Sequence, residues 1–212
     1  MTDIQKDKLA ISILLLLYSV GIAALWFRLH PDFILLTPLN LLISLAFMLW
    51  RHPQKNRDLL LFASLCYIAG FLVEMAGVQT GAIFGTYRYG EVLGPKVWGT
   101  PLMIGVNWVI LVYASAASMN HWLGKKSRLL RIALAAAVMV LLDLLIEPVA
   151  VAFGFWTWEG GIIPIQNYVA WYVLAFGLIA VFYRILGDTI NKVAIALLVL
   201  QFLFFGILNF SL

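Results

Sequence analysis

The chain has 212 residues, of which 64% are hydrophobic and 11% charged, and its mean hydropathy is +0.99. That balance excludes a soluble globular domain and places the chain in a lipid bilayer. The formal charge of +4 does not point to nucleic acid, because in a membrane protein the placement of Lys and Arg matters and their sum does not.

A span needs roughly 20 apolar residues, and seven runs qualify: 9–27, 33–50, 59–77, 101–120, 129–147, 167–186 and 193–210. The expected fold is all-α, a polytopic helix bundle forming one integral membrane domain over 1–212. The first run follows Lys6 and Lys8, as a signal peptide would, but it lacks a small-residue cleavage site before Arg28 and reads as a retained helix. The single cysteine, Cys66, falls inside the third run, which excludes a disulfide framework or an iron–sulfur cluster.

With seven helices, the N-terminus and the second, fourth and sixth loops share a side. That side holds eleven of the fourteen basic residues: Lys6, Lys8, Arg51, Lys55, Arg57, Lys125, Lys126, Arg128, Arg131, Arg184 and Lys192. Arg28, Arg88 and Lys96 lie on the other. The N-terminus is therefore expected in the cytoplasm and the C-terminus outside, in the cell inner membrane. The basic loops 51–58 and 121–128 read as ordinary solvated charge.

The third run carries Glu74, and ten residues later the chain reads Phe84-Gly85-Thr86-Tyr87-Arg88-Tyr89. The fifth run carries Asp143, and ten residues later it reads Phe153-Gly154-Phe155-Trp156-Thr157-Trp158. Each copy is followed by a proline opening a new apolar run and then by an Asn and a Trp: Pro101, Asn107 and Trp108; Pro164, Asn167 and Trp171. The spacing predicts parallel pseudo-repeats, 59–120 and 129–186, related by an axis along the membrane normal, with a site between them. The long loops 78–100 and 148–166 are rich in Gly and aromatic residues. Irregular backbone of that kind is tolerated at membrane depth only where protein buries it or it lines a cavity, so both are expected to fold over the helix ends as a lid. An interfacial belt of Tyr and Trp is the plainer alternative for any one ring.

Glu74 lies about 15 residues into its helix, roughly 22 Å at 1.5 Å per residue and past the midplane of a ~30 Å core. A carboxylate there costs on the order of 3 kcal/mol, so an intramembrane acid points to function. Pairing with Arg88 for packing alone is the other reading. Glu147 follows Asp143 by four residues, which stacks the two carboxyls on one helix face, and Pro148 is expected to end that helix. Two acids one turn apart in a low dielectric do not both ionise cheaply, so at least one stays protonated near neutral pH. Glu147 also fits a residue snorkelling at a helix end. Around these acids gather Tyr87, Tyr89, Trp98, Trp108, Trp156, Trp158 and Trp171. A desolvated cation over such a ring gains about 2 kcal/mol, enough for a cage to stabilise a transient carbocation. Asn107 and Asn167 suit a role in holding a water or in satisfying backbone groups.

His30, His52 and His121 lack His-x-x-His spacing, which argues against a histidine-rich di-iron site. There is no paired Asp-rich diphosphate motif and no Gly-rich nucleotide loop. What remains is proton chemistry on an apolar substrate without metal or cofactor, or transport.

Three blocks together, Glu74 through Gly81-Ala82-Ile83-Phe84-Gly85-Thr86-Tyr87-Arg88-Tyr89, Gly99-Thr100-Pro101-Leu102 through Asn107-Trp108, and Asp143 through Glu147-Pro148-Val149-Ala150 and Trp156-Thr157-Trp158 to Asn167, resemble the membrane carotenoid 1',2'-hydratase family of γ-carotene and bisanhydrobacterioruberin hydratase type. The resemblance covers about 59–185, and the first two helices and the last are generic. It implies addition of water across the terminal double bond of an acyclic ψ-end, giving a tertiary alcohol. The implied partners are such a carotenoid, membrane lipid and other carotenoid-pathway enzymes, with no nucleic acid. The physical argument assigns Asp143 as general acid, Glu147 as the neighbour that keeps it protonated, and Glu74 with Asn107 or Asn167 as the groups orienting water. Arg88 and the rings complete the expected substrate site. A non-redox end-group cyclase uses the same protonation, and a transporter or channel also uses intramembrane carboxylates; both stay open.

Overall fold

Seven helical segments long and apolar enough to cross a membrane are present among the described residues: α1 Asp3–Trp26, the segment Pro31–Trp50 that ends in α2 (Thr37–Trp50), α3 Arg57–Thr80, α4 Met103–Leu123, α5 Arg128–Ala152, α6 Ile165–Ile185 and α7 Lys192–Asn209. The computed structural model describes residues 1–54 and 57–212; Lys55, one of the basic loop residues counted above, lies outside them. A short 3-10 turn over Pro31–Leu36 leads into α2. The all-α polytopic bundle is as expected.

Helix α4 is the axis of the bundle. It contacts α2, α3, α5, α6 and α7, and 89% of its apolar window is buried, far more than in any other helix. Its run Ala114-Ser115-Ala116-Ala117-Ser118 is wholly buried, and small side chains of this kind let neighbouring backbones approach closely. On one flank α1 packs on α7; on the other α3, α5 and α6 pack against α4.

Pro148 does not end α5. The helix continues one turn to Ala152 and stops where Gly154 takes a left-handed φ of 72°. The Gly154 N–H bonds the Val151 carbonyl at 3.2 Å and the Phe155 N–H bonds the Ala150 carbonyl at 2.9 Å, a Schellman end. Proline removes only one N–H from the ladder, whereas the glycine closes it.

The long loops are more regular than their composition suggested. Strand β1 (Tyr87–Tyr89) pairs with β4 (Trp156–Trp158) in antiparallel fashion, as Tyr87↔Trp158, Arg88↔Thr157 and Tyr89↔Trp156. The ladder extends through Gly90 N–H to the Phe155 carbonyl at 2.8 Å and Glu159 N–H to the Thr86 carbonyl at 3.0 Å. Arg88 and Thr157, at the same offset from their Phe-Gly, pair with each other, and Tyr87↔Trp158 mirrors Trp156↔Tyr89, which is the register a two-fold axis between Arg88 and Thr157 requires. Gly90 sits where the loops cross, and a Cβ there would run into the Gly154 carbonyl oxygen. Between the copies, β2 (Lys96–Val97) and β3 (Thr100–Pro101) form a hairpin. Its turn residues, Trp98 and Gly99, have φ of 49° and 78°, as a type I' turn demands. The Gln166 side-chain amide ties the first loop to α6 by donating to the carbonyls of Ala82 and Ile83.

At the opposite end of the bundle, two of the basic residues counted for topology are paired, Arg51 of the loop read as solvated charge and Arg131 of α5. Arg51 donates from Nε to Asp7 at 2.6 Å, and its guanidinium pKa is raised chiefly by that bond. Arg131, 4% exposed, donates to Asn120 at 2.6 Å and meets Asp188 at 3.1 Å.

Candidate functional site

The strand pair covers a chamber between α3, α4, α5 and α6. Eleven of the residues read from sequence line it: Glu74, Tyr87, Tyr89, Asn107, Trp108, Asp143, Glu147, Trp156, Trp158, Asn167 and Trp171, with Ile104 and Ile146 closing the wall. The three carboxyls are 3%, 1% and 2% exposed for Glu74, Asp143 and Glu147. A carboxylate this deep needs donors, and the aromatic residues provide them. Glu74 accepts from Tyr87 Oη at 2.6 Å, Tyr89 Oη at 2.9 Å and Trp108 Nε1 at 3.1 Å. Glu147 Oε2 accepts from Trp156 and Trp158 Nε1, each at 2.9 Å. Asn167 Nδ2 bridges the remaining pair, donating to Asp143 Oδ2 at 3.0 Å and to Glu147 Oε1 at 3.4 Å.

The period of two in a strand explains the choice of rings. Tyr87 and Tyr89 on β1, and Trp156 and Trp158 on β4, point to the same side, so four donors converge on two acids. Their rings also meet: Tyr87 and Trp158 lie 4.9 Å apart and tilted by 35°, Tyr89 and Trp156 5.8 Å apart and edge to face. Burial first, and the adjoining Glu74 carboxyl second, push the Tyr87 and Tyr89 phenols well above their ordinary pKa, so both hydroxyls remain protonated donors. Trp108 is seated by Gly70, where a Cβ would stand 2.5 Å from its ring, and it stacks on Trp171 at 4.5 Å and 27°.

Two expected site residues lie elsewhere. Arg88 projects to the exposed face of β1, because it alternates with the two tyrosines that face the chamber; among the described residues it neither lines the chamber nor pairs with Glu74. Trp98 is 71% exposed at the hairpin turn, held by its carbonyl to Gln79 Nε2 at 2.6 Å, and fits the interfacial belt. The repeat also departs from its sequence form. Spacing matched Asp143 to Glu74, but it is Glu147 that receives the aromatic donors. Among the described residues Asp143 keeps Asn167 as its one side-chain partner.

A second cavity opens beside the chamber, sharing Ile104, Asn107, Ile146 and Trp156 with it. The chamber offers about 30 Å³ and the neighbouring gallery about 100 Å³. A water needs on the order of 10–15 Å³, so the chamber suits one or two waters and the gallery a small apolar group. Helices α1, α2 and α7, which looked generic in sequence, supply much of the gallery through Tyr18, Asn40, Gln201 and Phe204. The missed signal was an amide inside each of two apolar runs, Asn40 and Gln201. Among the described residues no Lys, Arg or His lines either cavity. Among the described residues no group of three or more His, Cys, Asp and Glu is placed to hold a metal ion.

A family model described as carotenoid biosynthesis protein matches residues 34–212. The chain belongs to this family. Bisanhydrobacterioruberin hydratase from Haloarcula japonica is 31% identical over 150 residues, covering 67% of this chain and 50% of the relative. The chain thus spans about half the length of that relative. No solved structure matches the chain. The kinship read from the aromatic blocks is borne out, and this member of the carotenoid biosynthesis family sets acids, donors and hydrocarbon-sized space side by side. Such an arrangement can protonate an alkene and stabilise the resulting cation against indole and phenol faces.

Proposed function

We propose that this protein is a carotenoid hydratase that adds water across the terminal C1=C2 bond of an acyclic ψ-end, without a cofactor. The observation that carries the reading is the junction of a water-sized, three-carboxyl chamber with an apolar gallery at Asn107 and Trp156. The end group lies in the gallery with its alkene at that junction. Asp143, the carboxyl with the fewest donors, gives its proton to C2. The positive charge at C1 is held by the surrounding ring faces. A water oriented by Glu74 with Asn107 or Asn167 attacks C1, and the proton it releases returns to the Asp143 carboxylate. One C=C is consumed, one C–O and one C–H form, and the acid is restored.

The size and polarity of the chamber favour water over an internal alkene as the trap, and so favour hydration over cyclisation. Expression in a lycopene- or γ-carotene-producing host tests this. Pigments should gain the mass of one water per reacted end, whereas unchanged mass with a ring would assign a cyclase. Substrate-free proton flux in vesicles would assign a transporter.

We propose that the N-terminus lies on the cytoplasmic side of the inner membrane, supported by the basic residues of the even-numbered loops, so that the chamber faces the outer half of the bilayer. Labelling of a cysteine at Lys126 from outside intact cells would reverse this. Segments 59–120 and 129–186 are proposed as copies of one unit, supported by the two-fold register of β1 and β4. An experimental structure in which one copy could not be rotated onto the other would refute it.

A further inference from the structure

The gallery is polar at both ends and apolar between. Its near end is the acid chamber. At its far end three residues from three helices converge: Tyr18 of α1, Asn40 of α2 and Gln201 of α7. Tyr18 is 4% and Gln201 3% exposed, and the Tyr18 hydroxyl sits among the Asn40, Ser44 and Gln201 side chains. Yet Asn40 Oδ1 and Gln201 Oε1 have no hydrogen-bond partner among the described residues. Buried amide oxygens are normally satisfied, and polar groups at this depth in a membrane mark a ligand pathway more often than packing. The one donor at hand, the Tyr18 O–H, lies within reach of both side chains but can satisfy at most one of the two acceptors, so the other awaits a donor.

The same end of the gallery leads outward. Leu25, Ile34, Thr37, Asn40 and Phe204 also line a third cavity of about 220 Å³ between α1 and α2, whose rim carries Val20 and Leu39, both broadly exposed on the apolar surface. A hydrocarbon arriving from the bilayer through this opening passes Asn40 before it reaches the acids.

We infer that Tyr18, Asn40 and Gln201 form a second subsite that takes an O–H donor at the far end of the gallery. The donor is a hydroxyl carried by the isoprenoid ligand or a water retained beside it. The inference rests on the reading of the gallery as the place of the hydrocarbon, and it makes the three residues determinants of specificity.

The test uses the purified full chain in nanodiscs and displacement of a bound polyene that quenches tryptophan fluorescence. Competitors are the C10 and C15 alcohols geraniol and farnesol and hydrocarbons of the same skeletons. If the ligand supplies the donor, the alcohols compete about tenfold better, as one satisfied hydrogen bond allows. Gln201→Met and Asn40→Leu, on separate helices, should abolish that preference while leaving hydrocarbon affinity intact. If water is the donor, alcohols and hydrocarbons bind alike in the wild type, and the variants slow hydration about tenfold without altering affinity. Equal binding together with unchanged turnover in both variants would overturn the subsite. An alcohol preference that the variants remove, in a protein that hydrates no carotenoid, would keep the subsite and discard the hydratase reading.

Discussion

Replacing Glu74 and Asp143 by their amides should have opposite consequences for fold and for chemistry, because their hydrogen bonds differ. Glu74 uses both oxygens, two phenol hydroxyls on Oε2 and the Trp108 indole on Oε1. In Glu74→Gln one oxygen becomes an NH₂ that faces a donor. If it faces Trp108, the indole N–H loses its acceptor at a buried site. Leaving such a group unsatisfied costs about 1–3 kcal/mol, and the amide adds a clash of like donors. Asp143 accepts one side-chain bond, from Asn167 at 3.0 Å. The carbonyl of Asp143→Asn can keep that bond, so its stability should change by less than about 1 kcal/mol. What it loses is the transferable proton, for which general acid catalysis supplies roughly 10²–10⁴-fold in rate, or about 3–5 kcal/mol of barrier at 1.36 per decade. The assay pairs thermal unfolding of purified protein in detergent, followed by tryptophan fluorescence, with carotenoid turnover by mass. Glu74→Gln should melt several degrees lower, and Asp143→Asn should melt like the wild type but be nearly inactive. A folded Asp143→Asn protein that hydrates at near wild-type rate, beside a dead Glu74→Gln, would move the acid to the other loop copy and refute the assignment.

Gly90→Ala should force β1 from β4, since its methyl meets the Gly154 carbonyl oxygen; overpacking of this kind costs typically 1–3 kcal/mol. Gly177→Ala on α6, with nothing within 4 Å of its added Cβ, is the control and should be neutral or stabilising by up to about 1 kcal/mol. Melting curves of the two variants decide the matter, and equal curves would mean that the loop crossing tolerates a side chain.

The helices were legible because a bilayer imposes a length and a polarity that composition alone reports. The acids and their rings were legible because a buried carboxylate is too costly to be incidental and because the motif occurs twice. Two things were not. A periodicity in sequence cannot say which side of a strand faces inward when loop pairing is unknown, so Arg88 was grouped with the tyrosines on either side of it. The local steric effect of Pro148 points to a stop there, but the end of a helix is fixed by whatever satisfies its last carbonyls, here Gly154 and Phe155. The gallery escaped notice because an amide in an apolar run reveals its partners only once three helices that are distant in sequence have packed.

The pairing of β1 with β4 joins residues 67 to 71 positions apart, from Tyr89↔Trp156 to Tyr87↔Trp158. Loop closure over such a distance is slow compared with the formation of a helix or a local hairpin. While the chain enters the membrane, Glu74 can find Trp108 within its own helical pair, but Glu147 has no tryptophan donor until the second loop emerges. Covering of the chamber therefore waits for α5 and its loop. An intermediate with three or four inserted helices holds a lone buried acid and an unpaired strand edge, which is the kind of surface that membrane quality control recognises. Truncation after α4 should accordingly yield a degraded fragment, with no half-active enzyme to be recovered from it.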